Sequence, residues 1–390
     1  MVAPKLRFKE FDGDWTSKQL GKIIGISSAS RVFKEQWQDS GVPFFRTSDV
    51  VSIFKNKENE KAYISLELFE ELAKKSGKIK QGDLLVTGGG SIGIPYLVPN
   101  DQPLYFKDAD LLWMKSSGIV EGSFLYNFFI SPKFREYLKS ISHTGTISHF
   151  TIEQAKATPF GFPSKEEQTK IASFLSNVDE KISQLTQKHE LLSQYKQGMM
   201  QKLFSQQLRF KADDGSEFGE WENSYIGNEC KITTGNKDTQ NKVDDGLYPF
   251  FVRSQTVEKI NSYSMDCEAI LTSGDGVGVG KNYHYMNGKF DFHQRVYCLY
   301  EFSERLIGRY LYIYFSNYFY DRVKRLSAKN SVDSVRMDMI SKMEIKLPCL
   351  EEQTKIANFL SAIDQKIEVV AQQIEQAKTW KTGLLQQMFV

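Results

Sequence analysis

A long internal repeat constrains this sequence more than any other feature. Residues 166–182 read EEQTKIASFLSNVDEKI and residues 351–367 read EEQTKIANFLSAIDQKI, at an offset of 185. Neither composition nor helical propensity produces a run of identities this long, and a repeat fixes the architecture before any residue receives a role. The chain is therefore expected to contain two copies of one structural plan.

Apolar residues follow a helical pattern through both copies. They recur at steps of three and four over about four to five heptads, which is typical of a coiled-coil seam. The predicted seam residues are Ile171, Leu175, Val178, Ile182, Leu185 and Leu192 in the first copy and Ile356, Leu360, Ile363, Ile367, Val370 and Ile374 in the second. One lysine interrupts each seam in the same heptad phase, Lys196 and Lys381.

Two such helices have an obvious partner in each other, so the sequence predicts that they form an antiparallel coiled coil. The alternative is that each apolar face docks only on its own globular domain, as amphipathic helices of ordinary length do. Length favours the coiled coil, because a helix of about 39 residues extends about 58 Å at about 1.5 Å per residue.

The start of each helix carries capping signals. Ser164 is followed three residues later by Glu167, which predicts a capping box in which each side chain binds a free backbone N–H of the first turn. The second copy has Cys349 and Glu352 at these positions, so only the glutamate half of the box is expected there.

Length and composition predict two domains and limit the class of partner. A chain of 390 residues exceeds the size at which one hydrophobic core keeps growing. The net charge of +2 means that a surface for nucleic acid must come from segregated charge. The sequence contains no apolar run of about twenty residues, and residues 1–15 lack the apolar core of a signal peptide. The predicted location is the cytoplasm.

The two halves also agree outside the helices. The motif Leu-Arg-Phe with a later tryptophan occurs at 6–8 and Trp15, and again at 208–210 and Trp221. The predicted domains are a first head at 1–163, a central helix at 164–205, a second head at 206–348 and a C-terminal helix at 349–390. The predicted fold class is α+β, with two α/β heads separated by the two helices and related by a pseudo-two-fold repeat.

Each head is expected to contain a buried strand that runs into a glycine-rich turn, followed by a second strand and an aromatic helix. Thr87 aligns with Thr272 on the first of these strands. The aromatic helices are predicted at 124–141 and 310–326. The first head carries about 21 extra residues, which include a short helix predicted between Ser65 and Gly77.

Sites for catalysis, metal or nucleotide are not indicated. Residues 274–281 end in Gly-Lys, but Asp275 stands where a phosphate-binding loop needs its first glycine, and Asn282 stands where it needs Ser or Thr. Tight turning of the backbone is the better explanation of the glycines. The cysteines, all in the second half, and the five histidines lack metal-ligand spacing. We therefore predict no catalytic residue, no metal and no cofactor in this chain.

The complete plan resembles the specificity subunit of type I restriction-modification systems. The resemblance rests on GDLLVTGGGSIG at 82–93 and on the helix start P-x-x-EEQTKIA-x-FL in both halves, and it covers essentially the whole chain. Cys349 at the second cap and the shorter second head are the departures. The resemblance implies that each head is a target recognition domain that reads one half of a bipartite DNA site, and that the paired helices set the distance between the halves.

The resemblance also implies partners and cofactors. The expected partners are double-stranded DNA, two methyltransferase subunits and restriction subunits. No association with a membrane is expected. S-adenosylmethionine, and ATP with magnesium, are expected in those partner subunits. The alternative function is a structural coiled-coil adaptor that presents two protein-binding heads.

The candidate DNA contacts are polar and basic residues in the predicted loops of each head. Arginine pairs with guanine and Asn or Gln with adenine, while phosphate contacts position the protein. The candidates are Arg31, Arg46, Ser48, Lys55 and Lys57 in the first half and Lys237, Gln240, Asn241, Lys242, Arg253, Gln255, Lys281 and Arg295 in the second.

Overall fold

The computed structural model describes residues 3–141, 149–276, 278–326 and 334–390. The chain divides into two compact units, Met1–Lys188 with Val370–Val390, and His189–Val369. Each unit contains one mixed α/β head, a part of the first long helix and a part of the second. The predicted fold class is therefore confirmed.

In the first unit, short strands alternate with helices before the first long helix begins. The strands are β1 (Thr16–Gln19), β2 (Ile26–Ser27), β3 (Val42–Phe45), β4 (Ala62–Ile64), β5 (Leu84–Thr87), β6 (Pro95–Leu97), β7 (Tyr105–Phe106), β8 (Leu111–Met114) and β9 (Pro159–Phe162). The helices of the first head are α1 (Thr47–Phe54), α2 (Leu66–Ser76), α3 (Gly122–Ile130), α4 (Pro132–Ser140) and α5 (Ile152–Ala157). The first long helix, α6 (Lys165–Phe204), follows and is divided between the two units. The strand orders are β2-β8-β5-β6, β4-β3-β7 and β1-β9.

The second unit has fewer helices and one larger sheet. Its strands are β10 (Glu222–Tyr225), β11 (Lys231–Thr234), β12 (Tyr248–Phe251), β13 (Glu258–Ile260), β14 (Met265–Ser273), β15 (Tyr283–Phe292), β16 (Val296–Tyr300) and β17 (Glu344–Leu347). The helices of its head are α7 (Ile226–Glu229), α8 (Gly308–Leu326) and α9 (Met337–Ser341). The second long helix, α10 (Leu350–Met388), follows and is also divided between the two units. The sheet order is β11-β16-β14-β15-β12-β13, and β10 pairs with β17.

Strand register shows that the two heads share one plan. In the first head β3 pairs antiparallel with β4 and parallel with β7, and in the second β12 pairs antiparallel with β13 and parallel with β15. Thr87 pairs with Leu111, and Ser273 pairs with Val296. Because these two partners correspond, Thr87 is equivalent to Ser273, one residue away from the alignment with Thr272.

The aromatic helix of the first head differs from its prediction. The segment 124–141 is two helices, α3 and α4, which separate at Ser131. Pro132 begins α4 because proline lacks a backbone N–H and is tolerated in the first turn, where none is needed, while Ser131 Oγ accepts from Phe134 N at 3.3 Å. The second head has no proline in this segment, and α8 is continuous.

The short helix in the extra residues of the first head is confirmed. Helix α2 covers Leu66–Ser76, and Ser65 Oγ caps it by accepting from Leu68 N at 3.1 Å. Gly77 follows the last helical residue, as predicted.

The seam is confirmed within each unit. In the first unit, Leu175 and Val178 of α6 are buried in one core with Leu384 and Met388 of α10. In the second unit, the end of α6 shares a core with the beginning of α10, with Leu203 and Leu360 both fully buried. Because the start of one helix packs with the end of the other in both units, the pairing is antiparallel.

The other predicted seam residues are also buried or half-buried. Those buried outright include Ile171, Leu185, Ile356, Ile363, Val370 and Ile374, and those half-buried are Ile182, Leu192 and Ile367. The cores that hold the seam also contain head residues such as Trp15 and Phe160. Docking on the head and pairing with the other helix, which were alternatives from the sequence, therefore occur together.

The lysines that interrupt the seam are paired with aspartates. Lys381 Nζ lies 2.6 Å from Asp179 Oδ1 in the first unit, and Lys196 Nζ lies 2.5 Å from Asp364 Oδ1 in the second. The two pairs are equivalent under the repeat.

Among the described residues, no helix is both long enough and apolar enough to cross a membrane.

Candidate nucleic-acid interface

A buried carboxylate fastens the first head to its helix. Glu167 is 1% exposed, and Arg7 donates to it through Nε at 2.8 Å and Nη2 at 2.7 Å. Trp15 Nε1 donates to Glu167 Oε1 at 3.3 Å. A bidentate arginine–carboxylate pair of this kind is among the stronger hydrogen-bonded contacts in proteins.

The second head repeats this anchor. Arg209 donates to Glu352 through Nε at 3.1 Å and Nη2 at 2.7 Å, and Trp221 Nε1 donates at 3.0 Å. Hydrogen bonding to Glu352 raises the pKa of Arg209. The Leu-Arg-Phe…Trp motif and the EEQTKIA motif, which recur separately along the chain, therefore bind each other in each half.

The anchor corrects the predicted capping boxes. Ser164 Oγ accepts from Glu167 N at 3.4 Å, as the serine half of the box requires. The Glu167 carboxylate does not return to the helix start, because a charged guanidinium and an indole N–H already satisfy it. The predicted cap by Glu352 is wrong for the same reason, because Arg209 and Trp221 already donate to its carboxylate.

The next residue of the repeat joins the helix to the loops before it. Gln168 accepts from Glu121 N at 2.8 Å and donates to Pro163 O at 3.0 Å. Gln353 accepts from Ile307 N at 2.9 Å and donates to Pro348 O at 2.9 Å. Both glutamines are fully buried. The repeated glutamate and glutamine thus attach each head to its helix. The loops that carry the candidate DNA contacts lie outside this repeated motif, and their sequences differ between the heads.

Two glycines in the glycine-rich turns are required by close backbone contact. Gly88 N donates to Asp110 O at 2.7 Å, and Gly274 N donates to Arg295 O at 2.7 Å. A Cβ at Gly88 would lie 2.8 Å from Phe150 O, and one at Gly274 would lie 2.9 Å from Arg295 O. Since these N–H groups are already bonded within the protein, they are not free to cradle a phosphate.

Several candidates of the second head meet at the ends of β12, β14 and β15. Arg253 Nη1 donates to Asp275 Oδ1 at 3.1 Å, and Arg295 Nε lies 3.7 Å from Asp275 Oδ2. Gln294 N donates to the carbonyl oxygen of Lys237 at 2.9 Å, which brings that loop alongside. The exposed Lys281 lies beside Asn282, whose side chain donates to Arg253 O at 3.2 Å.

The other candidates of the second head lie on neighbouring loops. Gln240 and Asn241 are exposed in a short 3-10 turn next to Asp238, which accepts from Gln294 Nε2 at 3.3 Å. Lys242 Nζ lies 3.5 Å from Glu258. The remaining candidate, Gln255, is exposed just after β12.

His293 supports this edge and was not singled out from the sequence. Its Nδ1 accepts from Arg295 N at 2.9 Å. Burial lowers the pKa of His293, and the charge of Arg253 lowers it further. The ring is therefore neutral at pH 7 and holds the backbone of Arg295 in place.

His143 lies outside the described residues. Within them, no group of three His, Cys, Asp or Glu side chains is arranged to hold a metal ion.

Candidates in the first head are less concentrated. Arg31 is exposed, with its Cζ 5.4 Å from the ring of Phe33, and it lines a cavity of about 550 Å³ with Trp37 and Lys107. Lys107, a half-buried cation in this cavity that is paired with Asp110 at 2.7 Å, was not predicted from the sequence. It directly follows β7, in a segment whose sequence carries no pattern that indicates a DNA contact.

Arg46 is held more tightly than the other candidates of the first head. Its Nε donates to Asp49 Oδ2 at 2.9 Å, and its Cζ lies 5.6 Å from the ring of Trp37. The candidates Ser48, Lys55 and Lys57 are exposed in or just after α1. These candidates remain predictions.

Comparisons with known proteins agree with the duplicated plan. The family model of the type I restriction modification DNA specificity domain matches residues 12–194 and again residues 219–379. The S subunit of the type I restriction-modification system from M. genitalium has a similar fold, with a TM-score of 0.66 and 16% identity over 100% of this chain and 99% of that one.

Similar sequences are specificity subunits of type I restriction enzymes. The putative MjaX specificity subunit of Methanocaldococcus jannaschii is 25% identical over 98% of this chain and 94% of its own length. A putative specificity subunit of Haemophilus influenzae is 28% identical over 43% of this chain, and the EcoDI specificity subunit of Escherichia coli is 28% identical over 40%. The chain aligns with 41% and 34% of the lengths of these last two proteins. On the two segments that the family model matches, this chain belongs to the type I restriction modification DNA specificity domain family.

Proposed function

We propose that this chain is the sequence-specific DNA-binding specificity subunit of a type I restriction-modification complex. Each head reads one part of an asymmetric bipartite site. The observation that carries this proposal is the duplicated anchor, in which Glu167 and Glu352 fasten two equivalent heads to paired helices in the same way. The basic side chains at the loop ends differ between the heads, so the two half-sites differ as well.

The paired helices set the spacer between the half-sites and dock two methyltransferase subunits, and restriction subunits complete the complex. The chain itself is non-catalytic and acts in the cytoplasm. S-adenosylmethionine, and ATP with magnesium, bind to the partner subunits. Family membership supports this division of labour.

Binding to duplex DNA, measured with the methyltransferase partner present, is expected to weaken steeply as salt increases. A protein that neutralises about six to ten phosphates loses roughly 10³- to 10⁵-fold in affinity between about 50 and 200 mM salt, because bound counterions are released. Fluorescence anisotropy with a labelled duplex measures the slope. The control is assembly with the methyltransferase itself over the same salt range.

The same titration separates DNA reading from the adaptor function. An adaptor would assemble with protein partners through its heads and show no affinity for duplex DNA at low salt. That result would contradict the proposal.

Lengthening both helices by one heptad is expected to increase the preferred gap between the half-sites. Seven residues preserve the seam and add about 10 Å along the helices, or about three base pairs at ~3.4 Å each. Selection from duplex libraries with variable gaps measures the preference. The half-sites themselves should not change, and retained binding with the original gap still preferred would contradict the spacer role.

A further inference from the structure

Three equivalent positions meet at the glycine-rich turn of each head. In the second head they hold Asp275, Arg295 and Ser334, where Asp275 and Ser334 form a backbone bridge and Gly274 N binds Arg295 O. In the first head the same bridge joins Gly89 to His149, and Gly88 N binds Asp110 O. The backbone is thus the same at this point, and only the side chains differ.

In the second head, a single carboxylate lies between two arginines. Asp275 Oδ1 accepts from Arg253 Nη1 at 3.1 Å, and its Oδ2 lies 3.7 Å from Arg295 Nε. The Asp275 side chain is 27% exposed, while those of Arg253 and Arg295 are 44% and 66% exposed. Both guanidinium groups therefore lie beside one carboxylate, and both side chains keep a large exposed fraction.

The backbones of both arginines are fixed independently of the carboxylate. Asn282 Nδ2 donates to Arg253 O at 3.2 Å, and Arg295 N donates to the neutral His293 at 2.9 Å. The ion pairs therefore determine the direction of the side chains on a backbone that is already held. A side chain that is oriented before binding loses less conformational entropy when it binds.

We propose that Asp275 is a positioning residue that presents Arg253 and Arg295 as a fork for guanine in the second half-site. This inference rests on the proposed function. Guanine offers two acceptors, N7 and O6, on its major-groove edge, and a guanidinium binds them as a pair. The charge of Asp275 also weakens the attraction of both arginines to phosphate, so the fork favours base edges over the sequence-independent backbone.

The first head lacks this fork. Gly89 stands in the place of Asp275, and Asp110 stands in the place of Arg295 and is paired with Lys107 at 2.7 Å. A negative charge thus occupies the position where the second head carries a positive one. The fork acts on one half-site only, which provides an internal control.

The test selects DNA from a randomised duplex library with the complex of the full chain and its methyltransferase partner. The variants are Asp275→Asn, which keeps the shape and removes the charge, and Arg295→Ala. Asp245→Asn, at an exposed aspartate on the loop before β12, is the matched control. Both fork variants are expected to lose guanine preference at the same positions of one half-site, by roughly tenfold or more per position. The other half-site should keep its sequence.

Asp275→Asn is expected to retain or increase affinity for random duplex, whereas a merely structural aspartate would lower both specific and random binding. If Asp275→Asn does not assemble, Arg253→Ala joins Arg295→Ala, because both side chains are exposed. Unchanged guanine preference in the fork variants, with a bipartite motif still selected by the unmodified complex, would overturn the fork alone. Absence of any motif with the unmodified complex would overturn the proposed function itself.

Discussion

Leu175→Asp is expected to unfold the first unit and to release its head from the paired helices. Leu175 is fully buried in a core that includes Trp15 of the head and Leu384 and Met388 of α10. The substitution removes the buried leucine and places an unpaired carboxylate among apolar side chains, at a cost of about 4 kcal/mol or more. Denaturant unfolding followed by circular dichroism measures this loss, and gel filtration with the methyltransferase partner tests assembly.

The control introduces the same carboxylate one position later. Ser176 is exposed, so Ser176→Asp should change the free energy of unfolding by less than about 0.5 kcal/mol. Unchanged unfolding and assembly for Leu175→Asp would show that the seam does not hold the first unit together.

Glu352→Ala is expected to destabilise the second unit by about 3 kcal/mol. Glu352 is fully buried and binds both Arg209 and Trp221. Removing it leaves a partly buried guanidinium and an indole N–H without their acceptor, and breaking a buried ion pair typically costs about 3–5 kcal/mol. A change of this size lowers Tm by roughly 6–12 °C in a unit of this length. Differential scanning calorimetry is the appropriate measurement, because it resolves the transitions of the two units.

The preceding residue provides a matched control. Glu351 is exposed and lies 3.5 Å from Lys355, so Glu351→Ala should cost well under about 1 kcal/mol. Equal effects of the two alanine substitutions would contradict the anchor. Glu167→Ala with Glu166→Ala repeats the comparison in the first unit, where the transition of the first head should move instead.

The long helices, the seam and the two strands next to the glycine-rich turn of each head could be predicted from the sequence because they depend on local periodicity. Pro132 is a sequence signal for the break at Ser131. A single helix was nevertheless predicted over 124–141, because aromatic residues recur throughout that segment. The one-residue shift between Thr87 and Thr272 was not predictable, because register depends on the partner strand and not on the strand itself. The pairing of β5 and β14 with β8 and β16 sets the equivalence of Thr87 and Ser273.

The amino-acid pattern alone is enough to predict two copies of one plan, a long amphipathic helix in each copy, and the residues of the seam. The folded chain brings Arg7 to Glu167, 160 residues away, and Arg209 to Glu352, 143 residues away. It also places Asp275, which interrupts the phosphate-loop pattern, between two arginines. The physical reason is the range of the interactions. Helix periodicity is a property of neighbours three and four residues apart, whereas a buried carboxylate takes its role from whichever cation the fold brings within hydrogen-bonding distance.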